Sequence, residues 1–306
     1  MPAIPQSPWP SAQPLALAAL FAGALAIATS ALFVKVSEAG PVATAFWRVF
    51  LALPFLWLWA LAARRHGSPG AVDAPRERRL IVAAGLFFAG DLAVWHWSIV
   101  LTSVANATLL ANLAPIFVTL AAWLMFGLRP TSRFLGGLAA ALTGVVLLIG
   151  GDFRHSGHAL AGDALGVITA MFYGAYQLTV SRLRAVASTA RIMAWSGTVT
   201  AAVLLPLAAL SAQPFFPATA TGWMLLFGLA LIAQVAGQSL IAYAMAHLPA
   251  TFSSVGLLLQ PVAAALFAWV LLGEDLVALQ IGGGVMVLAG IRIAHQSSRR
   301  PLPPAA

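Results

Sequence analysis

Apolar runs of about 20 residues recur along the whole chain, and no other feature restricts its fold so tightly. That length matches the roughly 30 Å of hydrocarbon a helix must cross. A soluble core also buries apolar segments, so composition has to decide. Of 306 residues, 61% are hydrophobic and 8% charged, against about 25% charged in a soluble domain. Bounded by charge, Gly or Pro, the runs predict helices at 15–36, 42–62, 80–100, 105–126, 133–150, 164–182, 191–211, 223–245, 250–272 and 276–295. The expected fold class is an all-α integral membrane protein with ten transmembrane helices. Residues 1–14 are rich in proline and lack the basic n-region of a cleavable signal peptide, so they read as a disordered lead-in. Residues 297–306 read as a C-terminal tail.

At an offset of 146, Leu113–Gly144 aligns without gaps on Leu259–Gly290 with 10 identities in 32 positions. The identities include Pro115 with Pro261, Trp123 with Trp269, Gly127 with Gly273 and Gly144 with Gly290, which are residues with positional meaning. The chain thus divides into a first five-helix repeat, 15–151, and a second, 164–296, joined by the polar stretch Asp152 to Asp163. Five spans per half is an odd number, so the repeats are inverted, an architecture common among secondary transporters. With both termini cytoplasmic, 13 of the 16 basic residues fall in inside segments, as the positive-inside rule requires. The formal charge of +8 is therefore a topology signal that also attracts anionic lipid, and it does not describe a nucleic-acid-binding face.

Polar residues inside apolar runs are the candidate site. Asp91 sits near the midplane of the third helix, where insertion costs roughly 2.5–3.5 kcal/mol unless the group faces a wet interior. Helical spacing puts Trp95, Ser98 and Thr102 on its face. His96 lies about 140° away, which argues against a simple Asp–His relay. Trp97 suits an interfacial anchor. Arg48, about six residues into the second helix from its outer end, either snorkels to the interface or is a counter-charge for Asp91 or for a substrate carboxylate. Tyr173, Tyr176 and Gln177 share a face of the sixth helix, and Gln234 and Gln238 a face of the eighth. Such groups either line a solute path or glue helices together. Pro115 and Pro261 break backbone bonds at equivalent places in the fourth and ninth helices, a paired kink suited to rocking. Gly136, Ala140 and Gly144 form a small-residue strip for close packing, within the bundle or in a homodimer.

There is no cysteine, so disulfides, thiolate metal sites and cysteine nucleophiles are excluded. No phosphate-cradling loop, metalloprotease motif or dinucleotide fingerprint is present, and no cofactor or metal is expected. His155 and His158 beside Asp152 read as a solvated loop.

The ANLAPIF and LLLQPVA segments, the VLLGED turn before the last helix and the two five-helix repeats resemble the EamA-type branch of the drug/metabolite transporter superfamily. Within it the chain looks most like exporters of aromatic and other neutral amino acids. The resemblance implies a helix basket around a central cavity, alternating access and a bacterial-type cytoplasmic membrane. The expected partners are a small-molecule solute and the lipid bilayer. Spacing assigns Arg48, Asp91, Trp95, Ser98, Tyr173, Tyr176, Gln177, Gln234 and Gln238 to the substrate and Pro115 and Pro261 to gating. The alternatives are another metabolite, such as a nucleotide sugar, purine or drug, and a passive channel, which would need a continuous polar pore. An enzyme would have only Asp91 and His96 for acid–base work and no nucleophile.

Overall fold

The structure is a computed structural model that describes residues 12–65, 75–102, 104–149, 159–273 and 276–298. Its helices group into ten rods, several of them interrupted. These are α1 (Ala12–Ala28, Ser30–Lys35), α2 (Pro41–Phe50, Leu53–Arg65), α3 (Pro75–Leu101), α4 (Val104–Ala111, Ala114–Phe126) and α5 (Ser132–Ile149). Then follow α6 (Ala159–Leu183), α7 (Thr189–Leu210), α8 (Ala220–Leu229, Ala230–Gln238, Ser239–Ala244), α9 (Ala250–Gly256, Leu259–Leu272) and α10 (Ala278–Ser298). Among the described residues, 9 helices are long and apolar enough to cross a bilayer. The rod that falls short is α6, which is 25 residues long; Tyr173, Tyr176 and Gln177 dilute its apolar run. Helix α6 begins at Ala159, so the second part of the expected polar connection is helical. Residues 1–11, the Asp152–His158 stretch with its two histidines, and 299–306 lie outside the described residues.

The prolines break α4 and α9 outright. Pro115 opens the second segment of α4 in its first turn, and the chain crosses the gap with short-range bonds such as Ile116 N to Leu113 O at 2.9 Å. In α9 the bond from Gln260 N to Leu257 O at 2.9 Å does the same work just before Pro261. Both rods then end on a glycine with φ of +68°, Gly127 and Gly273. That left-handed conformation closes a helix C-terminus at no Cβ cost.

The rods α5 and α10 pack along glycine. A Cβ on Gly144 would lie 2.6 Å from the Gly283 carbonyl, and one on Gly283 would lie 2.7 Å from the Gly144 carbonyl. Gly137 and Gly290 oppose each other in the same way, at 2.8 and 2.6 Å. The contacting strip is therefore Gly137, Ala141 and Gly144, one step round the helix from the expected one, and Gly136 meets nothing within 4 Å. Helix α3 is enclosed on several sides: α6 packs along it, and α7 and α2 cover further faces.

Candidate functional site

Arg48 and Gln234 join the two halves at the centre. Pro41 starts α2 at its first position, where proline is preorganised, and the segment buries most of its circumference, Phe46, Arg48 and Val49 included. Arg48 is only 7% exposed, and its Nε donates to Gln234 Oε1 at 3.2 Å, the two residues standing 186 apart in sequence. Gln234 lies in the π-helical segment Ala230–Gln238 of α8. A π segment inserts extra residues into a helix and re-aims its side chains, often at functional sites.

Around this bond the other charges gather. Asp91 of α3 and Tyr173 and Tyr176 of α6 all lie within electrostatic reach of Arg48. Gln260, at the start of the second segment of α9, lies beside Tyr173. Tyr176 stacks on Phe88 with ring centroids 4.7 Å apart, and Tyr173 continues the stack at 6.3 Å. The cluster thus holds a cation, an acid, two phenols, amides and an aromatic face, drawn from α2, α3, α6, α8 and α9. In a bilayer these groups require one another or a polar ligand.

Several partners are missing. Gln177 is 1% exposed and, among the described residues, neither of its amide atoms has a hydrogen bond; Gln238 Oε1 and Gln260 Nε2 also lack one there. Gln260 escaped the sequence reading because it precedes a proline in a run that reads as ordinary apolar helix. His96 was set aside on its angle from Asp91, yet it is 2% exposed and within electrostatic reach of Arg48. The enclosure of α3 on several sides brings both faces into the interior. His96 Nδ1 contacts the Leu92 carbonyl, Nε2 has no partner, and Trp95 packs edge-on to the ring at 5.0 Å. Trp97 is 59% exposed, as an anchor would be.

Ser98 and Thr102 are placed differently from the expected cavity wall. Ser98 is fully buried and donates to the Gly162 carbonyl at 2.7 Å, and Thr102 donates to Asp163 Oδ1 at 2.8 Å. Both hydroxyls tie α3 to the start of α6. Spacing alone does not tell which part of that face another helix covers.

Each end of the bundle carries a clasp. At one end, Glu38 accepts from Ala218 N at 2.8 Å, Thr219 N at 2.9 Å and Thr219 Oγ1 at 2.5 Å, so it grips the start of α8. Those bonds, the Thr219 hydroxyl first and its amide second, hold the Glu38 carboxyl below its usual range. Trp47 Nε1 donates to Phe215 O at 2.8 Å within an aromatic cluster that includes Trp223. At the other end, Glu77 at the start of α3 pairs with Arg191 at the start of α7, Nε to Oε1 at 3.3 Å. Among the described residues no group of three or more His, Cys, Asp or Glu side chains is placed to hold a metal.

A broken-helix bundle with a charged, aromatic centre is the setting in which relatives become informative. The sequence model of the EamA-like transporter family matches twice, over residues 14–150 and 160–294. This chain belongs to that family. It is therefore a multi-pass membrane transporter and not an enzyme. A probable terminal-alkyne amino-acid exporter of Streptantibioticus cattleyicolor is 29% identical over 251 residues, covering 80% of this chain and 83% of that protein. The pseudopaline exporter of Pseudomonas aeruginosa is 25% identical over 209 residues, 68% of this chain and 72% of its own. An uncharacterized transporter of Archaeoglobus fulgidus is 26% identical over 86% of this chain and 91% of its length. A solved crystal structure shares the fold with a TM-score of 0.78 at 18% identity, over 93% of this chain and 97% of that one.

Proposed function

We propose that the protein exports small amphipathic metabolites, aromatic or other neutral amino acids first among them, across a bacterial-type cytoplasmic membrane by alternating access. The observation that carries this is the buried Arg48–Gln234 bond with Asp91 in reach, which offers a guanidinium to a carboxylate and an acid to an ammonium in one place. Guanidinium and carboxylate pair in a two-pronged, charge-assisted way. The Phe88–Tyr176–Tyr173 stack would hold an apolar or aromatic side chain, and Gln177, Gln238 and Gln260 have amide atoms free for a polar one. Two relatives named as exporters, one of amino acids, support the direction and the class.

In this reading α6 is the tenth span and both termini are cytoplasmic. The halves, about 15–151 and 159–296, are inverted repeats, which the two family matches at the same 146-residue offset support. The test is uptake by purified protein in liposomes of labelled Phe, Trp, Thr and a phosphorylated sugar over a range of concentrations. Saturable amino-acid flux is expected. Saturable movement of the phosphorylated sugar alone would overturn the substrate class, and flux without saturation would favour a channel.

A further inference from the structure

Helix α8 is fastened to α2 and the turn before it at two places. Glu38, just ahead of α2, accepts from Ala218 N, Thr219 N and Thr219 Oγ1. Gly222 fits so closely there that a Cβ on it would lie 2.5 Å from Glu38 Oε2. Fifteen residues beyond Thr219, about 20 Å along the axis, Gln234 Oε1 accepts from Arg48 Nε. Leu226 and Ala230, which continue the four-residue spacing from Gly222 to Gln234, are 1% and 0% exposed, so the stripe between the two fastenings is covered.

The fastenings differ in kind. Glu38 is a carboxylate held by two backbone amides and a hydroxyl, whereas Gln234 offers a neutral amide to a guanidinium, for which a carboxylate is the stronger partner. A carboxylate on the Nε side of Arg48 would displace the amide, and one on the two Nη groups would neutralise the charge that holds it. Gln234 also lies in the π-helical segment Ala230–Gln238, a rare backbone form. Past that segment α8 is seated on α1: a Cβ on Gly23 would lie 2.9 Å from Gly237 O and 3.2 Å from Ile241 N, and one on Gly237 would lie 2.8 Å from Ile27 Cγ1. Helix α1 is itself interrupted at Thr29, between that contact and Phe33, whose ring a Cβ on Gly228 would meet at 2.9 Å. The Ala220–Leu229 segment of α8 and the Ser30–Lys35 segment of α1 are thus both joined to the rest of their rods through irregular backbone.

We propose that the Arg48–Gln234 bond is a substrate-operated latch: a substrate carboxylate takes Arg48 from Gln234, the π segment relaxes, and the Ala220–Leu229 segment parts from α2 at the Glu38 end. The inference rests on the carboxylate-binding role proposed for Arg48. A one-residue change of phase turns that segment by about 100° relative to the part seated on α1, more than the directional bonds at Glu38 tolerate. In the proposed topology this is the side of release, so loading the centre opens the way out.

The experiment is thiol labelling of Ala230→Cys in the otherwise cysteine-free full chain, in lipid nanodiscs with a small water-soluble methanethiosulfonate, alongside equilibrium binding of labelled Phe to the same preparation. Labelling of a buried position follows the open fraction. Saturating Phe should speed it about tenfold or more, and phenylalaninamide, which lacks the carboxylate, should not. Gln234→Leu should label without Phe at about the Phe-bound rate. Gln234→Glu supplies the carboxylate from the chain itself, so it should label about tenfold slower than the natural side chain and not respond to Phe. Loss of packing would not drive two substitutions of one side chain in opposite directions, and the glutamate variant decides alone if the leucine variant folds poorly. Phe binding with unchanged labelling would overturn the latch, as would acceleration by phenylalaninamide or a Gln234→Glu rate no slower than the natural one. No Phe binding would overturn the substrate reading instead, and the substrate-free rates of the two variants would still decide the latch.

Discussion

Arg48 makes the most demanding claim of any single residue, because its charge lies inside an apolar bundle with one amide as its hydrogen-bond partner among the described residues. In the proposed reading a substrate carboxylate, together with Asp91, offsets that cost. Arg48→Gln should therefore lower amino-acid flux about tenfold or more, and Arg48→Lys should not restore it, since an ammonium cannot reproduce the planar fork. Initial rates in liposomes, with the folded fraction checked by gel filtration, would measure this; full activity in the lysine variant would remove Arg48 from recognition. Gln177 gives the opposite balance. With both amide atoms unpartnered, it destabilises the empty protein by about 1–3 kcal/mol. Gln177→Leu should hold or raise the melting temperature while raising KM for a polar substrate, and a fall in both stability and transport would make it a packing residue. Arg48, Asp91, Tyr173 and Gln177 were legible in the sequence because each interrupts an apolar run. Their mutual arrangement was not, since helical spacing relates residues on one rod and says nothing across a separation such as the 186 residues between Arg48 and Gln234.

At the scale of elements, the length and borders of the rods followed from the sequence to within about five residues, because charge, Gly and Pro mark where the bilayer ends. The interruptions were less visible. Pro115 and Pro261 announced bends, and the structure makes each a full break. The π segment of α8 carries no such marker in ALIAQVAGQ. Its extra residue is a packing outcome: a regular helix would turn Gln234 away from Arg48 by about 100° per residue. Deleting one lipid-facing residue of the segment, Ile232, should relax it to an α-helix and re-phase the residues that follow or precede it. The expected result is a folded, membrane-inserted protein, with near-normal helix content by circular dichroism, whose flux falls by about tenfold or more. Unchanged flux would mean that the Arg48–Gln234 bond is dispensable.

For the whole molecule, the two clasps bear on how access could alternate. Under the 146-residue offset, α2 corresponds to α7 and α3 to α8. The Glu38 clasp joins the start of α2 to the start of α8, and the Glu77–Arg191 pair joins the start of α7 to the start of α3. Two pairs of elements that correspond under the offset are thus fastened at opposite ends by different chemistry. Glu38 is fully exposed and its carboxyl is held below its usual range, so its contribution is complete above the unfolded carboxylate pKa and lost as pH falls through the folded one. The Glu38 end should be indifferent to pH near neutrality and loosen only in acid. Glu77 is 3% exposed, so breaking its pair leaves a buried charge, at a cost of about 3–5 kcal/mol. The absence of native cysteine makes both ends open to thiol labelling, with single cysteines introduced at Thr44 behind the Glu38 clasp and at Ser196 behind the Glu77 clasp. If the clasps bias one two-state equilibrium, Glu77→Gln should speed labelling at Ser196 and slow it at Thr44, and Glu38→Gln should do the reverse, because a molecule drawn toward one opening is withdrawn from the other. The exchanged pair Glu77→Arg with Arg191→Glu should restore part of the original pattern. Labelling that rises at both positions in either single variant would mean that the clasps only hold the fold together, and the alternating-access reading would lose its structural support.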